Sequence, residues 1–404
     1  MADFFQNGVI ATLHRIKTRP VEELEAELLR YSRKRPMALV LPALYRELEG
    51  DALPKILDEL SQVKYLSQII IGLDKADEAQ FRHAKKFFAR LPQPHKVIWQ
   101  DGPRMVILRK LLKEQGLYTG EPGKGRNAWM CYGYVIASGQ ARVVGLHDCD
   151  ILTYKRNLLA RLFFPTANPH FGIKFCKGYY ARVRNRMFGR VDRLFLTPLL
   201  RSLKKILGQS DYLDYMDSFR YALAGEFSME RDVIENIRIP SDWGLEVGML
   251  TEVYRNYANR QICQVDIADN YDHKHQDLSE QNPEAGLAKM SIDIAKSLYR
   301  TLATQGVVFS EEFFRTIKAV YLRTALNFLD KYYYDAKING LLFDRHAEEK
   351  SIEVFFRSII IAGEHFLANP MEIPSIPNWS RVVSAIPDFY EMLYRSVEED
   401  NKMD

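Results

Sequence analysis

The stretch Val144-Gly145-Leu146-His147-Asp148-Cys149-Asp150-Ile151-Leu152 decides how this chain is read. An apolar run leads into two carboxylates two residues apart. Side chains at i and i+2 of an extended strand point to the same side, so a strand ending here sets two acids together at its carboxyl edge. Ligands of open α/β sheets bind outside those edges. Two adjacent carboxylates are costly to ionise together unless a cation or a proton compensates them. A hard divalent ion such as Mg²⁺ takes oxygen ligands and often shares them with substrate phosphates. An isolated Asp-x-Asp is more commonly the tip of a solvated turn, so the surrounding order of features has to decide.

Upstream, strand and helix patterns alternate. Residues 37–44 form an apolar, strand-like run, 52–63 an amphipathic helix, 65–73 a second strand and 81–91 a second helix. Residues 96–99 read as a third strand, 104–115 as a helix, and 141–146 as the strand that delivers the two acids. Such alternation predicts a mostly parallel sheet with helices on its faces. Residues 1–35 read as a helical, charged leader with Pro20 near a helix start.

Beyond Asp150 the texture changes. Residues 170–182 read as a strand or hairpin, 198–207, 226–237 and 245–257 as helices, and 262–267 as a late strand. From about Pro283 the pattern is almost purely helical, over 286–302, 311–333 and 347–367. A proline-broken linker then leads to a last helix near 386–397. The expected organisation is a leader (1–35), an α/β unit (36–282) and a helical C-terminal subdomain (283–404). Tyr332-Tyr333-Tyr334 and Phe355-Phe356 offer apolar area that suits packing on the α/β unit or a homodimer. The subdomain is expected to supply no catalytic group.

Composition narrows the function classes. The chain has 404 residues, 47% of them hydrophobic, enough for a sizeable core. A net charge of +4 is small for this length and argues against a dedicated nucleic-acid binder. The four cysteines, Cys131, Cys149, Cys176 and Cys263, form no C-x-x-C pair, so reduced thiols in a cytoplasmic protein fit best. No run reaches the length of a membrane span, and the first residues lack the apolar core of a secretory signal.

Four further features bear on chemistry. Gly120-Glu121-Pro122-Gly123-Lys124-Gly125-Arg126 precedes a helical stretch, 127–136. It is either a surface turn or an anion cradle, since glycines admit backbone N–H groups and helix N-termini favour anions. Arg182, Arg184, Arg186, Arg190 and Arg193 cluster beside Tyr179 and Tyr180, either as a solvated basic face or as a pocket for a phosphate or carboxylate. His273 and His275 follow the late strand and become candidate ligands because of the acid pair elsewhere. Glu246 is an acid in an apolar stretch, fit for a helix start or for accepting a substrate hydroxyl.

Taken in order, these pieces resemble the retaining GT-A glycosyltransferases of the glucosyl-3-phosphoglycerate synthase family. The similarity runs from about Leu39 to Leu278. It is carried by Leu41-Pro42-Ala43-Leu44 with Glu47, by Pro122-Gly123-Lys124-Gly125, by Asp148-Cys149-Asp150 and by Lys177-Gly178-Tyr179-Tyr180. Gly189-Arg190-Val191, Thr197-Pro198-Leu199-Leu200, Gly225-Glu226-Phe227, Trp243-Gly244-Leu245-Glu246 and His273 complete it.

The resemblance implies a GT-A fold, a Rossmann-like mixed sheet, with UDP-glucose as donor and 3-phosphoglycerate as acceptor. It implies that Pro42, Ala43, Leu44, Glu47, Lys124, Asp148 and Glu246 contact the donor. It places Asp150, Lys124 and Glu246 in catalysis, and gives Asp150 and His273 as ligands of a divalent metal, Mg²⁺ or Mn²⁺. Gly189, Arg190, Val191 and His275 would meet the acceptor. The chain departs from the family pattern at Phe188, Asp192 and His275 and in the loop after Asp74, which bears on the acceptor more than on the donor. Related synthases use GDP-mannose and form mannosyl-3-phosphoglycerate, which is one alternative. A nucleotide-sugar-binding regulatory protein without turnover is another, and intact Asp150, Lys124 and His273 argue against it.

Overall fold

A computed structural model describes residues 6, 8–240, 244–272, 282, 285–370 and 375–403. Eight strands form one sheet in the order β1-β8-β6-β7-β5-β2-β3-β4. They are β1 (Ala11–Leu13), β2 (Met37–Leu44), β3 (Leu66–Asp74), β4 (His95–Trp99), β5 (Val143–Leu146), β6 (Phe175–Tyr180), β7 (Phe227–Glu230) and β8 (Ile262–Ala268). Only β7 runs antiparallel to its neighbours β5 and β6; the other pairings are parallel.

The central strands are apolar on both sides because both faces of the sheet are covered. Along β2, Ala38 and Val40 enter one apolar cluster while Met37, Leu39 and Leu41 enter the other. Pro42 lies past the last β2–β5 pair, Val40 with Leu146, so its missing N–H costs that ladder nothing. The Lys124–Ser138 helix is buried along most of its length and ends on Gly139 in the left-handed conformation, φ 65°.

The structure differs from the sequence reading at several elements. Residues 1–35 are not only helical: Ala11–Leu13 pairs with β8 as the edge strand β1, ahead of the expected Val21–Ser32 helix. The segment expected to be one helix over 226–237 begins as β7, and only Arg231–Asn236 is helical. β7 has four residues, too few to show alternation, and its burial between β5 and β6 overrides local preference. The helices Arg156–Ala167 and Asp211–Asp217 were not anticipated.

The expected C-terminal helices lie at Gly286–Thr304, Glu311–Ile338, Arg345–Ala368 and Phe389–Lys402, and a further short helix, Trp379–Ala385, occupies what was read as linker. They share one apolar cluster with the sheet face that holds Trp129 and Phe195, and Phe355 is wholly buried there. Trp379 stacks on Trp129 with ring centroids 4.2 Å apart and planes 13° from parallel. The last helix covers the edge strand β4. Val97 N–H donates to Asn401 Oδ1 at 3.0 Å, and Asn401 Nδ2 donates back to Val97 O at 2.8 Å. One side chain thereby satisfies backbone groups that an open edge would leave unpaired. No helix among the described residues is long and apolar enough to cross a membrane.

Candidate active site at the switch point of the sheet

The chain leaves β2 towards β3 and β4, then returns on the other side of β2 as β5. The carboxyl ends of β2 and β5 therefore flank the point where strand order reverses, the place where open α/β sheets bind ligands. β2 ends on Leu44 and the turn after it supplies Glu47, while the loop after β5 supplies Asp148 and Asp150. Both acids lie beyond the strand, which stops at Leu146, rather than on its last residues as the sequence suggested.

Lys124 organises this site. It is the first residue of the Lys124–Ser138 helix, following Gly123. Its Nζ lies 2.6 Å from Asp148 Oδ1 and 3.3 Å from Glu246 Oε1. Three residues proposed separately along the sequence thus meet at one point. Partial burial works against the ammonium, yet Asp148 and Glu246, with Glu226 behind them, hold its pKa above the ordinary lysine value. Glu246 sits in the first turn of the Leu245–Asn256 helix. That turn favours an acid, which is the first of the two readings of Glu246.

Glu47 folds back onto the end of β2. Its Oε2 accepts the Leu44 N–H at 3.0 Å. Burial pushes its pKa up to about 7, with Asp150 and Asp148 adding to the effect against the Leu44 hydrogen bond. Asp148 and Asp150 thus lie near enough to Glu47 to act on its carboxyl, with the Lys124 ammonium on Asp148. Carboxylate oxygens such as those of Asp150 are the ligand type that a hard divalent cation takes. Among the described residues no three His, Cys, Asp or Glu side chains converge as a metal site. His273 and His275 lie outside the described residues, as does Trp243. The cleft beside β2 has a volume of ≈ 270 Å³ and is lined by Leu44, Tyr45, Arg46, Glu49, Lys75 and Gln80. Of the remaining donor candidates, Ala43 is buried in the core, while Pro42 and Leu44 are half-buried.

On the other flank, the loop after β6 carries the arginine cluster. Gly189 has φ 74°, a left-handed conformation that glycine adopts without strain. It turns the chain into a π-helical turn at Val191–Leu196. Val191 itself is packed in the core, so only its backbone is placed to meet a ligand. Arg190 Nε donates to Glu348 Oε1 at 2.9 Å, and Arg193 Nη2 to Glu348 Oε2 at 3.0 Å. The C-terminal helices therefore reach the candidate acceptor loop through a charged side chain. Arg184 pairs with Asp272, four residues beyond β8.

Three site residues were named in the sequence without being given a role. Glu226 is fully buried and accepts hydrogen bonds from Tyr180 at 2.7 Å and from Tyr271, whose rings stack 3.7 Å apart. Lys177, at 1% exposure, has no hydrogen-bond partner for Nζ among the described residues and lies over the Phe227 ring at 5.3 Å. Burial lowers its pKa to about 8 despite Glu246 and Glu226. Asp192 is buried and pushed up to about 7 by burial, against hydrogen bonds from the Leu223 and Ala222 backbone. A charged residue in an apolar strand, as in Phe175-Cys176-Lys177, was the available signal for Lys177.

No protein-family model matches the chain. A curated relative in Persephonella marina, named glucosyl-3-phosphoglycerate synthase, is 50% identical over 404 residues, covering 100% of both chains. A second of the same name, in Methanococcoides burtonii, is 40% identical over 409 residues, covering 99% of this chain and 98% of the relative.

The chain belongs to the glucosyl-3-phosphoglycerate synthase family.

The C-terminal helices lie within the length shared with both full-length relatives. Among solved structures, glucosyl-3-phosphoglycerate synthase of Mycobacterium tuberculosis in complex with Mn²⁺, UDP-glucose and phosphoglyceric acid resembles this chain with a TM-score of 0.53 and 20% identity. That likeness covers 74% of this chain and 89% of the other, and it establishes the fold.

Proposed function

We infer that this protein transfers glucose from UDP-glucose to 3-phosphoglycerate, forming glucosyl-3-phosphoglycerate with release of UDP. Membership of the family gives the reaction class. The observation within the molecule that carries the reading is Lys124, held between Asp148 and Glu246 at the switch point.

A divalent metal, Mg²⁺ or Mn²⁺, would be held by Asp150, with His273 as a further ligand, and when bound would neutralise charge on the diphosphate. The remaining work falls to the chain's own groups. Lys124 presents a fixed ammonium to the leaving diphosphate, and a charge organised in advance needs no rearrangement as the bond breaks. Asp148 keeps that ammonium protonated and in place. Glu246 accepts hydroxyls of the donor sugar, and the cleft at Leu44 and Lys75 takes the nucleoside. Arg190 meets the acceptor's anionic group and aligns its hydroxyl for attack, which supplies orientation. Retention follows from attack on the face from which the phosphate departs, with that phosphate taking the hydroxyl proton. The cell's reducing cytoplasm is the compartment that suits four free, buried cysteines.

The test is a donor-by-acceptor screen of UDP-glucose, GDP-mannose and ADP-glucose against 3-phosphoglycerate and glycerate. Turnover confined to UDP-glucose with 3-phosphoglycerate is expected. Preference for GDP-mannose would replace this reading with the mannosyl transfer.

A further inference from the structure

The hairpin-like loop between β6 and the Val191–Leu196 turn is held from outside the catalytic sheet. Its tip is fastened by Leu342, whose N–H donates to Asn185 O at 2.8 Å and which bridges Arg186. Its base is fastened by Glu348, on the first turns of the Arg345–Ala368 helix. The Glu348 side chain is only 8% exposed, and each of its carboxylate oxygens takes one arginine. Arg193 is also fixed by Nε on Phe188 O at 2.8 Å and by the Tyr332 ring, 4.8 Å away. Arg190 differs. Its side chain is 28% exposed and its bond to Glu348 uses Nε, which among the described residues leaves both terminal nitrogens as donors. A guanidinium held by Nε keeps its flat terminal edge in one orientation, the geometry that grips a phosphate or carboxylate through two parallel bonds.

We propose that Glu348 is a positioning residue for the acceptor: from the C-terminal helices it fixes Arg190 before the acceptor anion arrives. This rests on the reading of Arg190 as the acceptor's partner. The helical region is thereby part of acceptor recognition, although it brings no group to the reacting atoms. One carboxylate between two arginines also leaves a single net positive charge on these three side chains, so the pair attracts an anion without the repulsion of two bare guanidinium groups.

The experiment compares Glu348→Gln, Arg190→Lys and Arg190→Ala in steady-state kinetics with each substrate varied in turn, alongside thermal unfolding. Glu348→Gln is expected to raise the KM for 3-phosphoglycerate about tenfold, since small misplacements of an orienting group are costly, while the KM for UDP-glucose stays within about twofold. Arg190→Lys keeps the charge, lacks Nε and changes a partly exposed residue, so it tests the same point if Glu348→Gln folds poorly. It should raise the acceptor KM as Glu348→Gln does. A normal acceptor KM in Arg190→Lys, or a Glu348→Gln enzyme that loses only thermal stability, overturns the proposal. A lowered acceptor KM in Glu348→Gln would mean that Glu348 competes with the acceptor, and also overturns it. Arg190→Ala separates the two levels. If it leaves the acceptor KM unchanged, the assignment of Arg190 fails. If it raises that KM while Glu348→Gln does not, the assignment stands and the role of Glu348 fails.

Discussion

Gly225 faces the Asp148 carboxylate so closely that a methyl group on it would lie 2.6 Å from Asp148 Oδ2 and 2.9 Å from Lys124 Nζ. The absence of a side chain at this position leaves room for the ion pair that organises the site. Gly225→Ala should therefore push Asp148 and Lys124 apart with little effect on the core. A fall in turnover of about 100-fold is expected, the scale of a 1 Å misplacement, with a nearly unchanged melting temperature. Wild-type kinetics in this variant would show that the Lys124–Asp148 contact is not needed.

Lys124→Met removes the ammonium and leaves Asp148 and Glu246 facing each other. A preorganised charge aimed at a departing anion contributes about 3 kcal/mol, so kcat should fall on the order of 100-fold. The KM for 3-phosphoglycerate should hardly move. A change confined to that KM would place Lys124 on the acceptor side.

Asp150→Ala tests the metal assignment without relying on turnover. Titration calorimetry of Mn²⁺ into the UDP-saturated protein should show a site in the wild type and its loss in the variant. Chelation should abolish transfer by the wild type, because the charge on the diphosphate would be left to Lys124 alone. Undiminished Mn²⁺ binding by Asp150→Ala would remove Asp150 from the ligand set.

Lys177 sets an alkaline limit. Its folded pKa, lowered to about 8, means that the ammonium is lost as pH rises through that value. If its charge assists transfer, activity should decline above about pH 8. Lys177→Arg, which stays charged, should move the limit upward, and Lys177→Met should remove it at a lower plateau. A pH profile identical in all three proteins would leave Lys177 a purely structural residue.

Asp192 gives stability a pH dependence of definite sign. Its folded pKa, near 7, lies above the ordinary value of 3.8. The fold therefore binds the proton more tightly than the unfolded chain does. The resulting stability is complete below about pH 4 and is lost as pH rises towards 7. At about 1.4 kcal/mol per pH unit the ceiling is about 4 kcal/mol, and relaxation of the site lowers it. Denaturant unfolding at pH 5 and pH 8 should show a smaller difference for Asp192→Asn than for the wild type. Equal differences would contradict the assignment.

Much of this molecule was legible in the sequence. The run Met37-Ala38-Leu39-Val40-Leu41 reads as a buried strand and is one, and the Asp148–Asp150 pair pointed to the carboxyl edge of the sheet, where those acids lie. Local chemistry determined those points, since period, branching and charge are written residue by residue. What the sequence could not supply was coincidence in space. Residues 124, 148, 225 and 246 meet because β5 returns beside β2 with β7 antiparallel against it, and β7 is a four-residue strand with no readable period of its own. Lys177 is an anomaly in sequence and becomes a candidate only once burial leaves its ammonium with no hydrogen bond among the described residues. Glu348 carried no signal at all, because an acid near a helix start is ordinary until packing sets it between Arg190 and Arg193. The sequence by itself determined which elements form and which residue types are available for chemistry. Tertiary structure alone decided which of them share a site, because burial and charge pairing depend on distances that arise only when remote segments pack together.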